Sequence, residues 1–380
     1  MYALLRERGP VHRFPTDRTG GVWLVLGHDA VRAALTDPRL RNDIRHSADR
    51  EDDGGHSIGR NMLQTDPPHH TRLRRLVARE FTGRRVESLR PRIRRIADDL
   101  VDAVSARGRT DLVAAFAMPL PVAVICELLG VPASDRAAFR DWSTGMVHPA
   151  DPASANAAAQ AMTDYLTALV EQKLRRPGDD LLSALASTAA HGEDELSPEE
   201  PLGMAFLLLV AGHETTVNLI SGAVHALLTN PDQLDALRCD PSLLSGAVEE
   251  TLRHDGPVLT SAYRFTAEPV EIGGTVVPAG ESVLAVPASA SRDPSRFPDP
   301  DRFDIRRDTR GHSAFGHGIH HCLGAPLARL EAAVPLECLL ERLPDLALDA
   351  DPADLAWRSG MLRGLRHLPV RYTPRRPGER

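Results

Sequence analysis

The sequence predicts a mainly α-helical protein, one large domain over residues 1–380 with a small β-rich portion. Three observations carry this. Long segments repeat apolar residues at three- and four-residue steps, the spacing of one helix face. Strand-like runs are few and short. No strand–helix alternation runs along the chain, which disfavours a doubly wound parallel sheet.

The helical spacing is plainest over 86–108, 154–176 and 323–343, with shorter helices at 28–36, 69–80, 119–129, 181–189, 231–238 and 242–254. Strand-like stretches are "GVWLVLG" (21–27), "SAYRFT" (261–266), "VEIGGTVVPAGESVLAVP" (270–287) and "LRHLPVRY" (365–372). Two loops look irregular: the polar stretch 41–61, expected to be mobile, and the Pro-, Asp- and Arg-rich stretch 291–313.

The helix of most consequence covers 197–231. Ser197 and Glu200 make a capping box, Pro198 suits the first helical position, and Asn230-Pro231 ends it. About 30 residues at ~1.5 Å each give roughly 45 Å. Apolar residues surround it through 204–211, so it should run through the middle of the molecule. In that setting "AGHETT" (211–216) is costly, because buried carboxylates and hydroxyls need partners or water. Thr hydroxyls can return to the carbonyl three or four residues back, and Gly212 weakens the helix. The segment reads either as a kink with satisfied hydroxyls or as a groove for a small ligand or water. A zinc-protease reading fails: "HETTV" places Val217 where HExxH needs its second histidine.

The net charge of -7 and 4% aromatic content give no reason to expect nucleic acid. Among 45 basic residues only Lys173 is lysine, a bias of base composition rather than chemistry. Cys126, Cys239, Cys322 and Cys338 form no CxxC pair and no disulfide framework, which suits a reducing cytoplasm. The opening "MYALLRERGPVHRF" meets charge too early for a signal peptide, and "MAFLLLVAG" is far shorter than the ~18 apolar residues of a membrane span.

Cys322 lies in "FGHGIHHCLG" (315–324), directly before an apolar helix. A thiolate can be a nucleophile, a zinc ligand or a haem-iron ligand. Adjacent histidines are poorly placed to act as its base, and His317, His320 and Cys322 make at most an unusual zinc cluster. GxGxxG fails at His321 and GxSxG fails at Phe315.

Phe315, Gly318, His320, Cys322 and Gly324 match, position for position, the F-x-x-G-x-H-x-C-x-G loop of the cytochrome P450 family, the haem-thiolate monooxygenases, and the chain resembles that family over nearly its whole length. "AGHETT" is similar to the family's oxygen-activating segment. "EETLR" carries its ExxR as Glu250 and Arg253, with Arg302 of "PDPDRF" expected to close the Glu-Arg-Arg cluster. "DPPHHTRLRRLV" (66–77) resembles the segment whose His and Arg hold haem propionates, here His70 and Arg74 on one helical face.

The resemblance implies the family's triangular-prism fold, with the long helix over a haem b whose axial ligand is the Cys322 thiolate. It implies Gly318, Gly324, Phe315 and Ala211 against the porphyrin, and His70, Arg74, Arg264 and His320 on its propionates. A helix starting at Leu323 would favour the thiolate through its dipole. Thr215 is implied as the oxygen-binding hydroxyl and Glu214 as the proton relay. An apolar substrate pocket would draw on Leu207, Val210, Val258, Leu259, Thr260 and Met361. Electrons would come from a ferredoxin and its NAD(P)H-dependent reductase, docking on Arg72, Arg75 and Arg79 at i, i+3 and i+7.

Wording such as "CLGAPLARLEA" resembles bacterial members that hydroxylate macrolides and other secondary metabolites. The expected protein is a cytoplasmic monomer that hydroxylates or epoxidises a hydrophobic small molecule; its opening "MYALLRERGPV" lacks the short leader of many relatives, which reads either as a start upstream of Met1 or as a missing part of the entrance. Peroxide-driven, coupling or rearranging chemistry is the alternative. So is a haem binder without turnover, against which Glu214 and Thr215 argue.

Overall fold

The computed structural model describes residues 1–15, 21–48, 60–147, 151–190, 197, 200–358 and 360–375. At its centre, helix Glu200–Thr229 runs unbroken for 30 residues, as its sequence predicts. It packs against helices Ala325–Arg342, Pro119–Leu128, Leu244–Asp255 and Pro152–Arg175. By length and composition it is the one described helix able to cross a membrane, yet 67% of its most apolar window is buried inside the protein. It is the core helix of this fold.

Half of the predicted capping box is present: the Ser197 N–H donates to Glu200 Oε2 at 2.8 Å. Pro198 lies outside the described residues. Gly212 does not break the helix. A Cβ there would stand 3.3 Å from Ile125 Cδ1, so this glycine lets helix Pro119–Leu128 approach closely.

Three long predicted helices shift at their ends for local reasons. The segment 86–108 divides into Gly83–Glu87 and Arg90–Ser105, because Pro91 lacks an N–H and fits only a first turn. The segment 154–176 begins at Pro152, where Asp151 and Ser154 cap each other reciprocally. The helix expected from Leu323 begins at Ala325 with Gly324 as its cap. Helix Arg136–Val147 was not predicted.

The main sheet has five strands in the order Val11–Phe14, Val22–Val25, Ser282–Ala285, Arg264–Thr266 and Leu40–Arg41. All neighbours are antiparallel except Val22–Val25 with Ser282–Ala285. Its Val25 and Val283 are buried with Val31 and Leu35 of helix His28–Thr36, and the sheet fixes the backbone of Arg264. The tail 365–372 forms two strands rather than one: Gly364–Leu365, against Trp357–Arg358, and Pro369–Arg371, between Arg109–Asp111 and Ala347–Leu348. Of the loop expected to be irregular, Arg41 pairs with Phe265 and Ile44–His46 makes one 3₁₀ turn, while 49–59 lie outside the described residues.

Candidate active site

The Cys322 loop is held by its own backbone. The Cys322 N–H donates to the Phe315 carbonyl at 2.9 Å, closing the turn between them. Gly316 and Gly318 sit at φ +70° and +74°, which side-chain-bearing residues rarely adopt. Gly318 has a second reason to be glycine, since a Cβ would stand 2.7 Å from the Leu35 carbonyl. Helix packing, rather than room for a cofactor, accounts for that position. At Gly324 the opposite holds: a Cβ would meet nothing within 4 Å.

Cys322 is exposed to solvent-sized space although it lies deep in the fold. Burial pushes its thiol up, while the Gly324 and Ala325 N–H groups, Arg74 and Arg329 pull it down. Exposure together with strong desolvation describes a group that faces an internal void. The long helix, too, is uncovered on one side. Its middle is buried except along one face, where Leu207 and Thr215 are half-buried and Ala211 is exposed at successive i+4 steps. Val210 is half-buried beside them.

The four residues expected on the propionates converge. The rings of His70 and His320 lie 4.3 Å apart. Arg74 donates from Nη2 to the His321 carbonyl at 2.7 Å. Arg264 is buried, with one contact to the Leu40 carbonyl at 3.4 Å. His320 Nε2 and Arg264 Nε are buried without a hydrogen-bond partner, and the buried His70 ring lies near the Ile319 backbone but makes no well-formed hydrogen bond at either nitrogen. Burial, then the nearby positive groups His70, Arg264 and Arg74, lower His320 to about 3. Burial lowers Arg264 to about 10, only partly offset by Asp66. The Asp66 carboxylate is itself occupied by the N–H groups of Asn42 and Asp43. Two imidazoles able to turn an N–H outward and a buried guanidinium with an idle N–H fit a buried dianion such as a pair of propionates. With the free thiol and the open space at Gly324, these residues fit a haem.

On the long helix, Thr215 Oγ1 donates to the Ala211 carbonyl at 2.7 Å and Thr216 Oγ1 to the Gly212 carbonyl at 3.1 Å, the return bonds expected of threonine in a helix. Glu214 is buried, and Asn218 Nδ2 approaches its Oε1 at 3.4 Å. Sequence reasoning missed two neighbours. His213 Nδ1 donates to the Leu209 carbonyl at 3.0 Å, so its Nε2 accepts the Ser143 hydroxyl at 2.9 Å and ties the long helix to Arg136–Val147. Glu331, fully buried, is raised well above the usual carboxylate range by burial, with the Thr216 hydroxyl pulling the other way.

Glu250 and Arg253 pair with no exposure at either side chain, at 2.7 and 2.8 Å. The third member differs from the expectation. Arg302 is exposed and offers only its carbonyl, to Arg253 at 3.2 Å. The guanidinium that reaches Glu250 belongs to Arg307, at 3.2 Å. The loop turns the Arg302 side chain outward and brings Arg307 back over the pair, where it also meets the carbonyls of Asp299 and Arg302.

Arg72 also departs from its expected place. It forms an ion pair with buried Glu200 at the start of the long helix, while Arg75 and Arg79 remain exposed. Of the expected pocket residues, the structure brings two segments together: Val258 bridges Leu362, and the Leu259 N–H donates to the Met361 carbonyl at 2.9 Å. Val258, Leu259 and Thr260 are half-buried and Met361 is exposed.

Comparison with known proteins agrees with this geometry. Residues 148–344 match the family model described as cytochrome P450. The chain is 57% identical over 374 residues to the cytochrome P450 monooxygenase PikC of Streptomyces venezuelae, covering 98% of this chain and 90% of that one. It is 46% identical over 385 residues to 6-deoxyerythronolide B hydroxylase of Saccharopolyspora erythraea, covering 97% and 95%. The solved structure of the P450 monooxygenase TamI bound to tirandamycin C superposes with a TM-score of 0.90 at 46% identity, covering 98% of this chain and 96% of that one. The chain belongs to the cytochrome P450 family and is a haem-thiolate monooxygenase.

Proposed function

We propose that this enzyme hydroxylates or epoxidises a macrolide- or other polyketide-type secondary metabolite, using haem b and electrons from a ferredoxin. One observation carries the cofactor assignment: a free thiol facing open space, within a fold that also buries a cluster of unmatched cationic and imidazole nitrogens. Cys322 would hold the iron, and His70, Arg74, Arg264 and His320 would hold the propionates. Phe315, Gly324 and Ala211 would flank the ring. A thiolate-bound haem supplies dioxygen activation and C–H oxidation.

The chain's own residues would do the rest. The uncovered face of Leu207, Val210 and Ala211, with Val258, Leu259, Thr260 and Met361, would hold an apolar substrate and exclude bulk water. Thr215 would hold a proton-bearing partner at Oγ1, since its own hydrogen is committed to the Ala211 carbonyl. Glu214, steadied by Asn218, would move protons toward that hydroxyl. Exposed Arg75 and Arg79 would dock an acidic ferredoxin. The relatives' names support the substrate class: one is a 6-deoxyerythronolide B hydroxylase, and one was solved with tirandamycin C. We read the protein as a single-domain cytoplasmic monomer.

The test is direct. Reduced protein treated with carbon monoxide should show the strongly red-shifted Soret band of a thiolate-ligated haem. Turnover with ferredoxin, reductase, NADPH and a macrolide and polyketide panel should then give products heavier by one oxygen. Oxidation confined to small terpenes or fatty acids would overturn the substrate assignment.

A further inference from the structure

Glu249 immediately precedes the Glu250 of the ExxR pair on helix Leu244–Asp255. Successive helical residues point about 100° apart, so the two carboxylates serve different partners. Arg329, in the helix that follows Cys322, grips Glu249 with two nitrogens: Nε on Oε1 at 2.5 Å and Nη2 on Oε2 at 3.0 Å. His312 donates from Nε2 to the same carboxylate at 2.9 Å, leaving Nδ1 to accept the Ala314 N–H at 3.2 Å. The Arg329 guanidinium also lies over the Phe315 ring, 4.5 Å from its centroid. Phe315 is the residue whose carbonyl accepts the Cys322 N–H.

The loop needs such support. Gly316 and Gly318 make it conformationally permissive, and at Gly316 nothing lies within 4 Å of where a Cβ would be. The fork of Arg329 suits the task because one planar group can pair a carboxylate through its edge and cover a ring with its face. Resting on the haem-thiolate reading above, we propose that Glu249, Arg329 and His312 are positioning residues that fix Phe315 and, through it, the backbone turn that presents Cys322 to the iron.

The experiment uses the haem-loaded enzyme and follows the thiolate-type ferrous–CO band as it decays in mild denaturant, with circular dichroism recording the fold separately. Arg329→Lys keeps the charge but loses the fork and most of the ring contact; Glu249→Gln loses half of the grip. Each should keep the native helical signal while the band decays about tenfold faster or more, the usual scale for residues that orient a metal ligand. Combined in one protein, the two changes should cost little more than either alone, because they break one network. Should either single variant not fold, His312→Ala gives the same readout, with His312→Gln, which keeps an N–H donor, as its rescue. Decay at the native rate in the folded variants overturns the proposal, and so do additive effects in the double variant. A wild-type protein that never shows the thiolate-type band fails the haem reading itself, a separate outcome.

Discussion

The imidazoles of His70 and His320 stand 4.3 Å apart at an angle of 54°, and the Nε2 of each is buried without a well-formed hydrogen bond. Two imidazoles with idle ring nitrogens are costly in an interior unless a partner joins them, and an anion can do so through the N–H of each ring. If that anion is a haem propionate, His70→Leu removes one hydrogen bond to a charged group, worth ~1.5–3 kcal/mol. Haem should then pass to excess apomyoglobin about tenfold faster or more, followed in the Soret band. An unchanged transfer rate would take His70 out of the site.

Arg307, not Arg302, completes the buried carboxylate cluster. Removing one partner of a buried pair leaves uncompensated charge and costs about 3–5 kcal/mol, whereas an exposed side chain away from such features costs within about 0.5 kcal/mol. Arg307 is slightly exposed, so Arg307→Ala should fall near the lower end of that range. Arg302→Ala should be almost neutral. Urea unfolding of the two variants, read by circular dichroism, decides between them.

These two cases show what was legible in the sequence and what was not. The turn before Cys322 and the helix carrying His70 and Arg74 could be read because their residues lie within a few positions of each other, where spacing fixes geometry. Arg307 could not: 302 and 307 lie in an aperiodic loop, and its turns decide which side chain folds back over Glu250. Glu331 carries no signal of its own in the sequence, where charged Arg329 and Glu337 share its helix; tertiary packing buries it beside Thr216. Helix Arg136–Val147 left a weak trace in Phe139, Trp142 and Met146 at i, i+3 and i+7, interrupted by Thr144 and Gly145. Gly212, read from sequence as a weak point, is a contact surface for Ile125.

Thr215 spends its proton on the Ala211 carbonyl, so its oxygen is free to accept. Thr215→Ala should leave the Soret spectrum native while diverting reducing equivalents to peroxide. Comparing NAD(P)H consumed with peroxide and product formed measures this. Tight coupling in the variant would remove Thr215 from proton delivery.

The arginine row on helix His69–Ala78 and the turn that follows splits by environment: Arg72 pairs with buried Glu200, while Arg75 and Arg79 are exposed. Arg75→Glu with Arg79→Glu should slow reduction by ferredoxin and flatten its dependence on salt, because attraction between exposed charges is screened. Arg72→Ala should instead lower stability by taking the cation from buried Glu200, whose carboxylate then keeps, among the described residues, only the Ser197 N–H. Stopped-flow reduction across a salt series, beside thermal unfolding, separates the two roles. A salt-independent rate in the wild type would rule the docking surface out.

Glu331 gives the protein a pH dependence of its own. Burial raises its folded pKa, so the carboxyl stays protonated in the native state and ionises on unfolding. Its contribution is therefore fully present below the ordinary carboxylate pKa and is lost as pH climbs toward the raised value. Each pH unit in that window costs the wild type about 1.4 kcal/mol relative to a residue that cannot ionise. Glu331→Gln keeps the shape and a donor for Thr216 but has no proton to lose. Its stability relative to wild type should therefore rise steadily from about pH 4.5 upward, measured by urea unfolding at several pH values. A difference that stays flat with pH, or falls, would mean that the carboxyl is ionised in the folded protein and finds a counter-charge beside Thr216.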